Sequence, residues 1–477
     1  MTKIENIYHK TPVSVQNLMN TIKGYQIKRV RYRTHTWKTL DFLKKSQLWE
    51  VDQFEDYQLE KLKKLVKHAV KNVPFYKDRY NSLKLNGNLI KNLSDINLLP
   101  IISKEEFRKH NNSFVSTHID RKKMWVSYTS GTTGTPLSAY RTHQQVQETT
   151  AFMERLYSWY NPKRWRRRAS FTGKLIVDPN NSIGPFHRVN RAINQYLFSS
   201  HHLIKSNIDE YISEISLINP EQIDGIASSI YVVAEHIIRT EQIGTIQPKV
   251  VIPTSETMWP HIRERLEKGF QCKVANQYGS QEGAPIAYEC PEDGFHIAPE
   301  SGIFEIIGSD NSPCRPGDPG RLVVTSFLSE GTPLIRYDIG DVASWRAGTC
   351  ICGRKMPMLE TIEGRIDDMF FTTERGIIPR VDSAFKSMAS AIKATQVAQI
   401  GLNHFQVRIV PDRDIFQEEY ANTLVDHLYD YLGHSVVIDV KLVSEIQRTS
   451  GGKMRAMVNE CKEAQNEILN SWNYSNI

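Results

Sequence analysis

The most constraining feature of this sequence is the run Tyr128-Thr-Ser-Gly-Thr-Thr-Gly-Thr-Pro-Leu137. Between its two ends it contains only Thr, Ser, Gly and Pro, and a short apolar piece, Met124 to Val126, leads into it. Glycine permits positive φ and lets a ligand approach the backbone closely. The hydroxyls and N–H groups of such a turn form a concave donor surface that suits phosphate oxygens. A plain linker is the alternative, and the missing Lys-Ser/Thr ending argues against a Walker-type P-loop.

Length and composition indicate the class of protein. The 477 residues exceed one ordinary core, so roughly two or three domains are expected. A hydrophobic content of 40% and a charged content of 24% are typical of a globular protein in water. The net charge of +7 favours anionic ligands but is weak support for nucleic acid, and we predict no nucleic-acid partner.

The cellular compartment is indicated by what the sequence lacks. The polar start Met1-Thr-Lys-Ile-Glu-Asn has no apolar core of a signal peptide, and no apolar run reaches the ~20 residues that cross a bilayer. Six cysteines in so long a chain do not suggest a disulfide scaffold. We therefore expect a reduced, cytoplasmic protein without a transmembrane segment. A peripheral membrane contact and the oligomeric state are left open.

Residues 1 to about 50 are rich in Lys, Arg and Tyr, including Lys28-Arg29-Val-Arg31-Tyr-Arg33. One interpretation is a basic surface for anionic lipid or polymer. The other, which is the commoner outcome for a charge run, is the solvated face of helices that pack on the main body. The second interpretation is favoured.

Hydrophobic periodicity predicts the fold class. From Leu203 to Ile252, helical segments alternate with short apolar runs, which indicates βαβ units and a parallel sheet. Between Gly302 and Trp345, β-branched runs separated by Gly/Pro turns indicate a more antiparallel region. The prediction is an α/β protein with mixed sheets.

A second polar motif, Asn276-Gln-Tyr-Gly-Ser-Gln-Glu-Gly283, follows a strand-like segment. In open α/β folds, ligands bind at the carboxyl edge of the sheet, where this motif would lie. Tyr278 suits stacking on an aromatic base, Ser280 suits a phosphate, and Glu282 suits a hard cation such as Mg²⁺. An ordinary strand-to-loop turn is the alternative.

Three further motifs each read alone as solvated surface turns. They are Arg336-Tyr-Asp-Ile-Gly-Asp341, Gly364-Arg-Ile-Asp-Asp-Met-Phe370 and Arg448-Thr-Ser-Gly-Gly-Lys453. A fixed carboxylate such as Asp341 can accept both hydroxyls of a ribose. A lysine on a flexible turn, such as Lys453, can neutralise the charge that develops in acyl or phosphoryl transfer.

Together and in this order, the motifs resemble those of the adenylate-forming ligases. This family has a Ser/Thr/Gly phosphate loop, a Tyr-Gly-x-x-Glu turn, a Tyr-x-x-Gly-Asp, a Gly-Arg-x-Asp hinge and a late catalytic lysine. The phenylacetate–CoA ligase and CapK-like capsule-biosynthesis branch is the most similar. Its marks here are Thr-Pro-Leu137, the segment Leu99 to Phe107 and the Arg-x-x-Gly-Gly-Lys ending. The resemblance spans roughly Phe75 to Val458.

The resemblance implies a role for each matched position. Glu282 would ligate Mg²⁺, and Lys453 would bridge the carboxylate and the α-phosphate. Asp341 would bind the ribose, and Asp367 would be a hinge. The loop that closes over the β- and γ-phosphates of ATP would be Thr129, Ser130, Gly131, Thr132, Thr133 and Gly134, with Thr132 counted as catalytic. The remaining cofactor-binding positions would be Tyr278, Gly279, Ser280, Arg365 and, as a weaker match, Ser255 and Glu256.

The resemblance also implies an architecture and a reaction. Residues 1–364 would form the N-terminal adenylation domain, and residues 365–477 a small, mobile α+β lid. A carboxylic acid would be adenylated with ATP and Mg²⁺ and passed to an acceptor, CoA by analogy with the branch, with a place in surface polysaccharide synthesis. An amine acceptor on an amino acid or amino sugar, and a nucleotide-binding scaffold without turnover, are the alternatives. The segment after the hinge departs from the family wording, which weakens the prediction of the acceptor.

A separate group of residues suits a metal. Cys290, His296, Cys350 and Cys352 give three thiols and one imidazole in two clusters, a set that fits tetrahedral, structural Zn²⁺. The Cys-x-Cys gap is tighter than the usual Cys-x-x-Cys. Buried free thiols beside a surface histidine are the alternative.

Overall fold

The computed structural model describes residues 7–85, 89–128, 138–161, 163–178, 181–203, 206–256, 258, 260–365, 369–374, 376–378, 381, 392–412, 414–447 and 455–473. The helices in these ranges are α1 (Val13–Arg31), α2 (Thr34–Ser46), α3 (Val51–Asn72), α4 (Pro74–Ser82), α5 (Lys104–Lys109), α6 (His143–Tyr160), α7 (Ile208–Ile218), α8 (Ala227–Arg239), α9 (Pro260–Phe270), α10 (Glu418–Leu432) and α11 (Lys462–Asn473).

The strands are β1 (Trp125–Tyr128), β2 (Ser138–Arg141), β3 (Arg168–Thr172), β4 (His187–Asn190), β5 (Gln195–Ser199), β6 (Gln222–Ile226), β7 (Val250–Thr254), β8 (Lys273–Val274), β9 (Gln277–Tyr278), β10 (Ala287–Glu289), β11 (Phe295–Ile297), β12 (Gly302–Ile307), β13 (Gly320–Ser326), β14 (Tyr337–Trp345), β15 (Met358–Arg365), β16 (Phe370–Thr372), β17 (Gly376–Ile378), β18 (Ile392–Gly401), β19 (His404–Pro411), β20 (Val437–Leu442) and β21 (Met457–Asn459).

Strands β6 and β7, which lie in the segment where periodicity predicts parallel strands, belong to a six-stranded sheet of order β4-β5-β3-β6-β7-β8. All neighbours are parallel except β4 and β5. The run that ends at Ile252 is the buried strand β7, and α7 and α8 pack their isoleucines and valines into the same core. The prediction of βαβ units between Leu203 and Ile252 is therefore confirmed.

The predicted antiparallel region is part of a larger, seven-stranded sheet of order β12-β13-β14-β15-β11-β10-β9. Helices α3 and α4 cover one part of it, burying Leu62, Val66 and Tyr76 against the same core as strand β13. Helix α3 stops at Val73, which has extended backbone angles because the following residue is Pro74. The mixed α/β class predicted from sequence is confirmed.

The two sheets adjoin through their end strands. The chain passes from β8, the last strand of one sheet, to β9, the last strand of the other, through residues 275 and 276 alone. This short passage fixes the place at which side chains from both sheets meet.

The C-terminal part combines helices and strands, as predicted. Strands β20-β19-β18-β21 form a four-stranded sheet, and β16 pairs with β17. Phe370, Phe405 and Leu424 share one buried core, which α10 covers. Within the residues described, no helix has the length and low charge needed to traverse a bilayer.

A buried ion pair fastens α2 and α6 to the seven-stranded sheet. Arg155 on α6 and Glu300, just before β12, are at most 1% exposed, with Nη1–Oε1 and Nη2–Oε2 distances of 2.7 and 3.2 Å. The same guanidinium donates to the Leu43 carbonyl on α2 at 3.1 Å and to the Tyr288 hydroxyl. Removing one partner of such a pair leaves an uncompensated charge in the interior.

Replacing Arg155 by Met should lower the free energy of unfolding by about 3–5 kcal/mol, because Glu300 would stay buried without its counter-ion. Urea denaturation at one pH measures this. Lys64→Met is the matched control, since the Lys64–Glu60 pair is 68% and 63% exposed and such pairs contribute about 0–1 kcal/mol. Equal losses in the two variants would contradict the role given to the buried pair.

Candidate functional site

Two residues from separate sequence motifs meet on the seven-stranded sheet. Tyr278 lies on β9, the end strand, and Asp341 lies on β14. The Tyr278 hydroxyl donates to Asp341 Oδ2 at 2.6 Å, and both residues are half-buried. The ring predicted to stack on a base and the carboxylate predicted to hold a ribose are therefore adjacent.

The strand register adds a third predicted position. Strands β14 and β15 are antiparallel, and Asp341 is paired directly with Arg365. Directly opposite residues in such a ladder have Cα atoms roughly 4.5–5.5 Å apart. The backbone therefore brings Arg365 beside Asp341.

The turn after β9 carries the predicted magnesium ligand. Glu282 is 5% exposed, and it has no hydrogen bond or ion pair among the residues the structure describes. The turn is fixed by Ser280, whose carbonyl accepts the Gly283 N–H at 3.2 Å and whose hydroxyl accepts the Ala284 N–H at 3.1 Å. Gly283 has a φ of +97°, which favours glycine. A carboxylate on a fixed turn, with no partner among the described residues, suits a hard cation.

Several carboxylates surround the Tyr337 ring behind this turn. The Tyr337 hydroxyl is buried and, within the described residues, has no hydrogen-bond partner. Burial raises the pKa of Tyr337, and the carboxylates of Glu282, Asp338 and Asp341 raise it further. A side chain added at Gly279 would meet no described atom within 4 Å. The site thus combines concentrated negative charge with open space beside Gly279.

Arg141 is a candidate that sequence reasoning missed. It ends β2, which pairs with β1 on either side of residues 129–137. Its Nη2 donates to Ser127 Oγ at 2.9 Å, while its buried Nε has no partner among the described residues. A Cβ built on Gly283 would lie 3.7 Å from Arg141 Cδ. A guanidinium without a described carboxylate partner therefore borders the Glu282 turn, a relation that only the packing reveals.

Burial lowers the pKa of Arg141, and the neighbouring charge of Arg31 lowers it further. Two guanidiniums close enough to repel each other form a positive region that suits an anion. No sequence signal marks this region, because Arg31 and Arg141 are 110 positions apart and belong to no common motif.

Several predicted site residues lie outside the residues the structure describes. They are Thr129, Ser130, Gly131, Thr132, Thr133, Gly134, Asp367 and Lys453. For the phosphate loop, the flanking strands β1 and β2 are described, and their pairing brings Tyr128 opposite Ser138.

Ser255 and Glu256 lie at the carboxyl end of β7, in the six-stranded sheet. The Glu256 carboxylate accepts the backbone N–H of Ser228 at 2.6 Å and the Ser228 hydroxyl at 3.0 Å. Glu256 thus caps the start of α8, where a negative charge is stabilised by the helix dipole. Ser255 is exposed and has a φ of +73°. Their assignment to the nucleotide site stays a prediction.

The four metal-ligand candidates come together. Cys290 and His296 flank the turn between β10 and β11, while Cys350 and Cys352 lie between β14 and β15. Their ligand atoms are all within 4.8 Å of one another. Cys290 Sγ lies 3.6 Å from Cys350 Sγ, and Cys352 Sγ lies 3.3 Å from His296 Nε2. The alternative of a surface histidine is wrong, since His296 is fully buried.

The surroundings of the cluster fit a metal. His296 Nδ1 donates to the Met356 carbonyl at 3.2 Å, which orients the ring and leaves Nε2 as the ligand atom. Burial lowers the pKa of His296 to about 4, so the imidazole is neutral. A Cβ on Gly294 would lie 2.6 Å from Cys350 Sγ and 2.7 Å from His296 Nε2. Glycine there keeps the space between the four ligands clear.

The chain is similar to known proteins along most of its length. Residues 370–460 match the family model of the CapK C-terminal domain. Protein CapK of Staphylococcus aureus is 27% identical over 96% of this chain and 99% of its own length. A phenylacetate-coenzyme A ligase of Thermus thermophilus is 23% identical over 84% of this chain and 95% of its own.

A solved structure shares the fold. The crystal structure of 2-hydroxyisobutyryl-CoA ligase in the postadenylation state superposes with a TM-score of 0.71 at 17% identity, covering 90% of this chain and 94% of that one. With the ordered motifs, the near full-length match to CapK and the shared fold, the likeness supports membership in the adenylate-forming superfamily, in its CapK-like branch.

Proposed function

We propose that the protein is an AMP-forming acid ligase of the cytoplasm, which joins a small carboxylic acid to AMP and passes the acyl group to CoA. The observation that carries the proposal is the Tyr278–Asp341 hydrogen bond near Glu282, a 5% exposed residue whose carboxylate has no partner among the described residues. An aromatic ring, a ribose-accepting carboxylate and a cation ligand at one sheet are what a nucleotide with Mg²⁺ requires.

The chemistry explains why an acid is activated in this way. A free carboxylate is a poor electrophile because its oxygen leaves poorly, and a mixed anhydride with AMP supplies a good leaving group beside the acceptor. Mg²⁺, when bound, offsets the charge on the phosphates. Within the chain, Glu282 would hold this ion, Arg141 would face the phosphates and Asp341 would fix the ribose. Tyr278 would orient Asp341 and present its ring to the base.

The residues outside the described ranges complete the proposal by resemblance. Thr132 and its neighbours would close over the phosphates, and Lys453 would offset charge in the transition state. Residues 365–477 would swing about Asp367 as a lid on the domain formed by residues 1–364, which shields the acyl-adenylate from water.

The acceptor is the finer part of the proposal. CoA is favoured because the phenylacetate-coenzyme A ligase of Thermus thermophilus matches this chain over 95% of its own length. An amine of an amino acid or amino sugar is the second candidate, and it suits the place in surface polysaccharide synthesis that the resemblance to the capsule-biosynthesis branch implies. A scaffold without turnover is the third, and the intact Glu282, Asp341 and Lys453 argue against it.

A pyrophosphate-release assay with a panel of carboxylic acids tests the first half-reaction. An active acid should release pyrophosphate only with ATP and Mg²⁺. Consumption of CoA or of an amine with that acid then decides the acceptor. ATP binding without pyrophosphate release for any acid would favour the scaffold.

Lys453→Ala should reduce adenylation by about 10²–10³-fold, because a donor that acts on developing charge contributes mainly in the transition state. Circular dichroism should show an unchanged fold. Lys441→Ala, an exposed lysine on β20, is the control. Pyrophosphate release at the original rate would remove Lys453 from the mechanism.

Asp341→Asn should raise the KM for ATP about 10- to 100-fold, because a hydrogen bond to a charged group contributes ~1.5–3 kcal/mol. Steady-state kinetics with saturating acid measures this. Glu360→Gln is the control on the neighbouring strand β15, since the Glu360 side chain is 56% exposed and lies 3.9 Å from Arg346. An ATP KM that shifts equally in both variants would contradict ribose binding by Asp341.

We also propose that Cys290, His296, Cys350 and Cys352 hold a structural Zn²⁺. The support is their mutual proximity and the cleared space above Gly294. Tetrahedral coordination with Zn–S distances of ~2.3 Å would place two ligand sulfurs roughly 3.8 Å apart, close to the 3.6 Å between Cys290 Sγ and Cys350 Sγ. The ion would tie the β10–β11 turn to the β14–β15 loop.

Metal analysis of protein purified without chelator should find about one zinc per chain. Cys352→Ser should lose most of this metal and lower the melting temperature, whereas Cys272→Ser, at a cysteine packed in the other core, should retain it. Protein with almost no metal, or Cys352→Ser with full metal, would overturn the zinc site.

A further inference from the structure

Helix α1 turns its polar side toward the protein. Asn17 Oδ1 accepts the Val189 N–H of β4 at 2.8 Å, and Asn20 donates to the Tyr8 hydroxyl at 2.8 Å. Thr21 Oγ1 accepts the Arg191 N–H at 3.2 Å, and Lys28 donates to the Ala192 carbonyl at 3.1 Å. These bonds fix which side of α1 faces inward.

Close packing locks this orientation. A Cβ on Gly24 would lie 2.0 Å from Asn190 Oδ1 and 2.7 Å from Asn190 Nδ2. Gln16 is 4% exposed and accepts a hydrogen bond from the Arg188 guanidinium. Rotation of the helix would break these contacts and bury apolar side chains against polar ones.

The consequence is an apolar stripe that faces solvent. Val15, Leu18, Ile22 and Tyr25 are 39%, 59%, 50% and 54% exposed. Their spacing of three, four and three residues places them along one side of the helix. Contiguous apolar surface of this kind marks a site of contact with a partner or a membrane.

The charge around the stripe identifies the occupant. From Lys10 to Leu40 the sequence has seven Lys and Arg residues and no Asp or Glu. Lys10, Lys23, Arg29 and Arg33 are exposed, and Arg29 continues the stripe four residues after Tyr25. A second copy of this helix would bring like charges together, whereas an anionic lipid surface would neutralise them.

We propose that α1 docks in the plane of an anionic lipid bilayer, with the apolar stripe (Val15, Leu18, Ile22 and Tyr25) at the boundary between headgroups and acyl chains. The basic side chains bind lipid phosphates while their aliphatic stems lie along the apolar surface. The protein would then be a peripheral membrane protein whose catalytic part stays in water. This surface is distinct from the nucleotide site and does not depend on the proposed function.

Flotation of the purified full chain with vesicles tests the proposal. Phosphatidylcholine vesicles containing phosphatidylglycerol should carry the protein, and pure phosphatidylcholine vesicles should bind it much less. Leu18→Ser/Ile22→Ser should reduce the vesicle partition coefficient by about tenfold or more, because both side chains leave water on docking. Lys23→Gln/Arg29→Gln should reduce it by roughly tenfold through lost attraction to the anionic surface.

Matched controls distinguish vesicle binding through α1 from nonspecific adsorption of the protein. Leu217→Ser removes an 82% exposed leucine from α7, and Lys63→Gln/Lys67→Gln removes two exposed charges from α3. Both should bind vesicles like the unmodified protein, and thermal melts should show all variants folded.

Two results would overturn the proposal. One is equal binding of the unmodified protein to both vesicle types, or no binding to either. The other is a dimer in sedimentation equilibrium that Leu18→Ser/Ile22→Ser converts to monomer without any vesicle binding, which would assign the stripe to a second copy of the chain.

Discussion

The candidate site depends on an ion pair that holds the passage between the two sheets. Both carboxylate oxygens of Glu289 on β10 accept hydrogen bonds from the Arg263 guanidinium on α9, at 2.7 and 2.6 Å. The Glu289 carboxylate also accepts the Asn276 N–H at 2.8 Å. Arg263 donates in addition to the Val274 carbonyl on β8 at 3.0 Å. One charged pair thus anchors both ends of the β8–β9 passage. Because the pair is mostly shielded from water, it is screened little by salt. It keeps Tyr278 within reach of Asp341.

The charges at the site are arranged for a ligand and not for one another. Glu282 is buried without a described cation partner, and Arg141 lies near the same turn without a described carboxylate partner. The proposed ligand, a nucleotide with a divalent cation, would offer the complementary pattern, with the ion at the carboxylate and the phosphates at the guanidinium.

The same logic distinguishes other buried charges. In the Arg155–Glu300 pair each charge has its counter-ion within the protein, and the pair joins helices to a sheet, so its role is structural. Glu256 also has its partner, the start of α8. Helix α1 shows the converse case: its inward polar groups form hydrogen bonds within the protein, and its apolar stripe is exposed to water. Among the residues described, the candidate binding surfaces are therefore those with charges that lack a counter-ion or with apolar side chains exposed to water.

The sequence alone was sufficient for the family, the fold class and the local structure. Ordered motifs are local, as are the helical period of α3 and the effect of Pro74 on Val73, so each can be recognised without knowing the rest of the chain. Tertiary structure decided which distant residues touch. The Tyr278–Asp341 bond spans 63 positions, the Asp341–Arg365 pairing depends on strand register, and the Arg141 environment depends on three separate segments. Whether Glu256 caps a helix, whether four metal-ligand candidates converge, and which side of α1 faces water are likewise set by packing. Such contacts depend on how sheets and helices pack over the whole chain, and no short stretch of sequence contains that information.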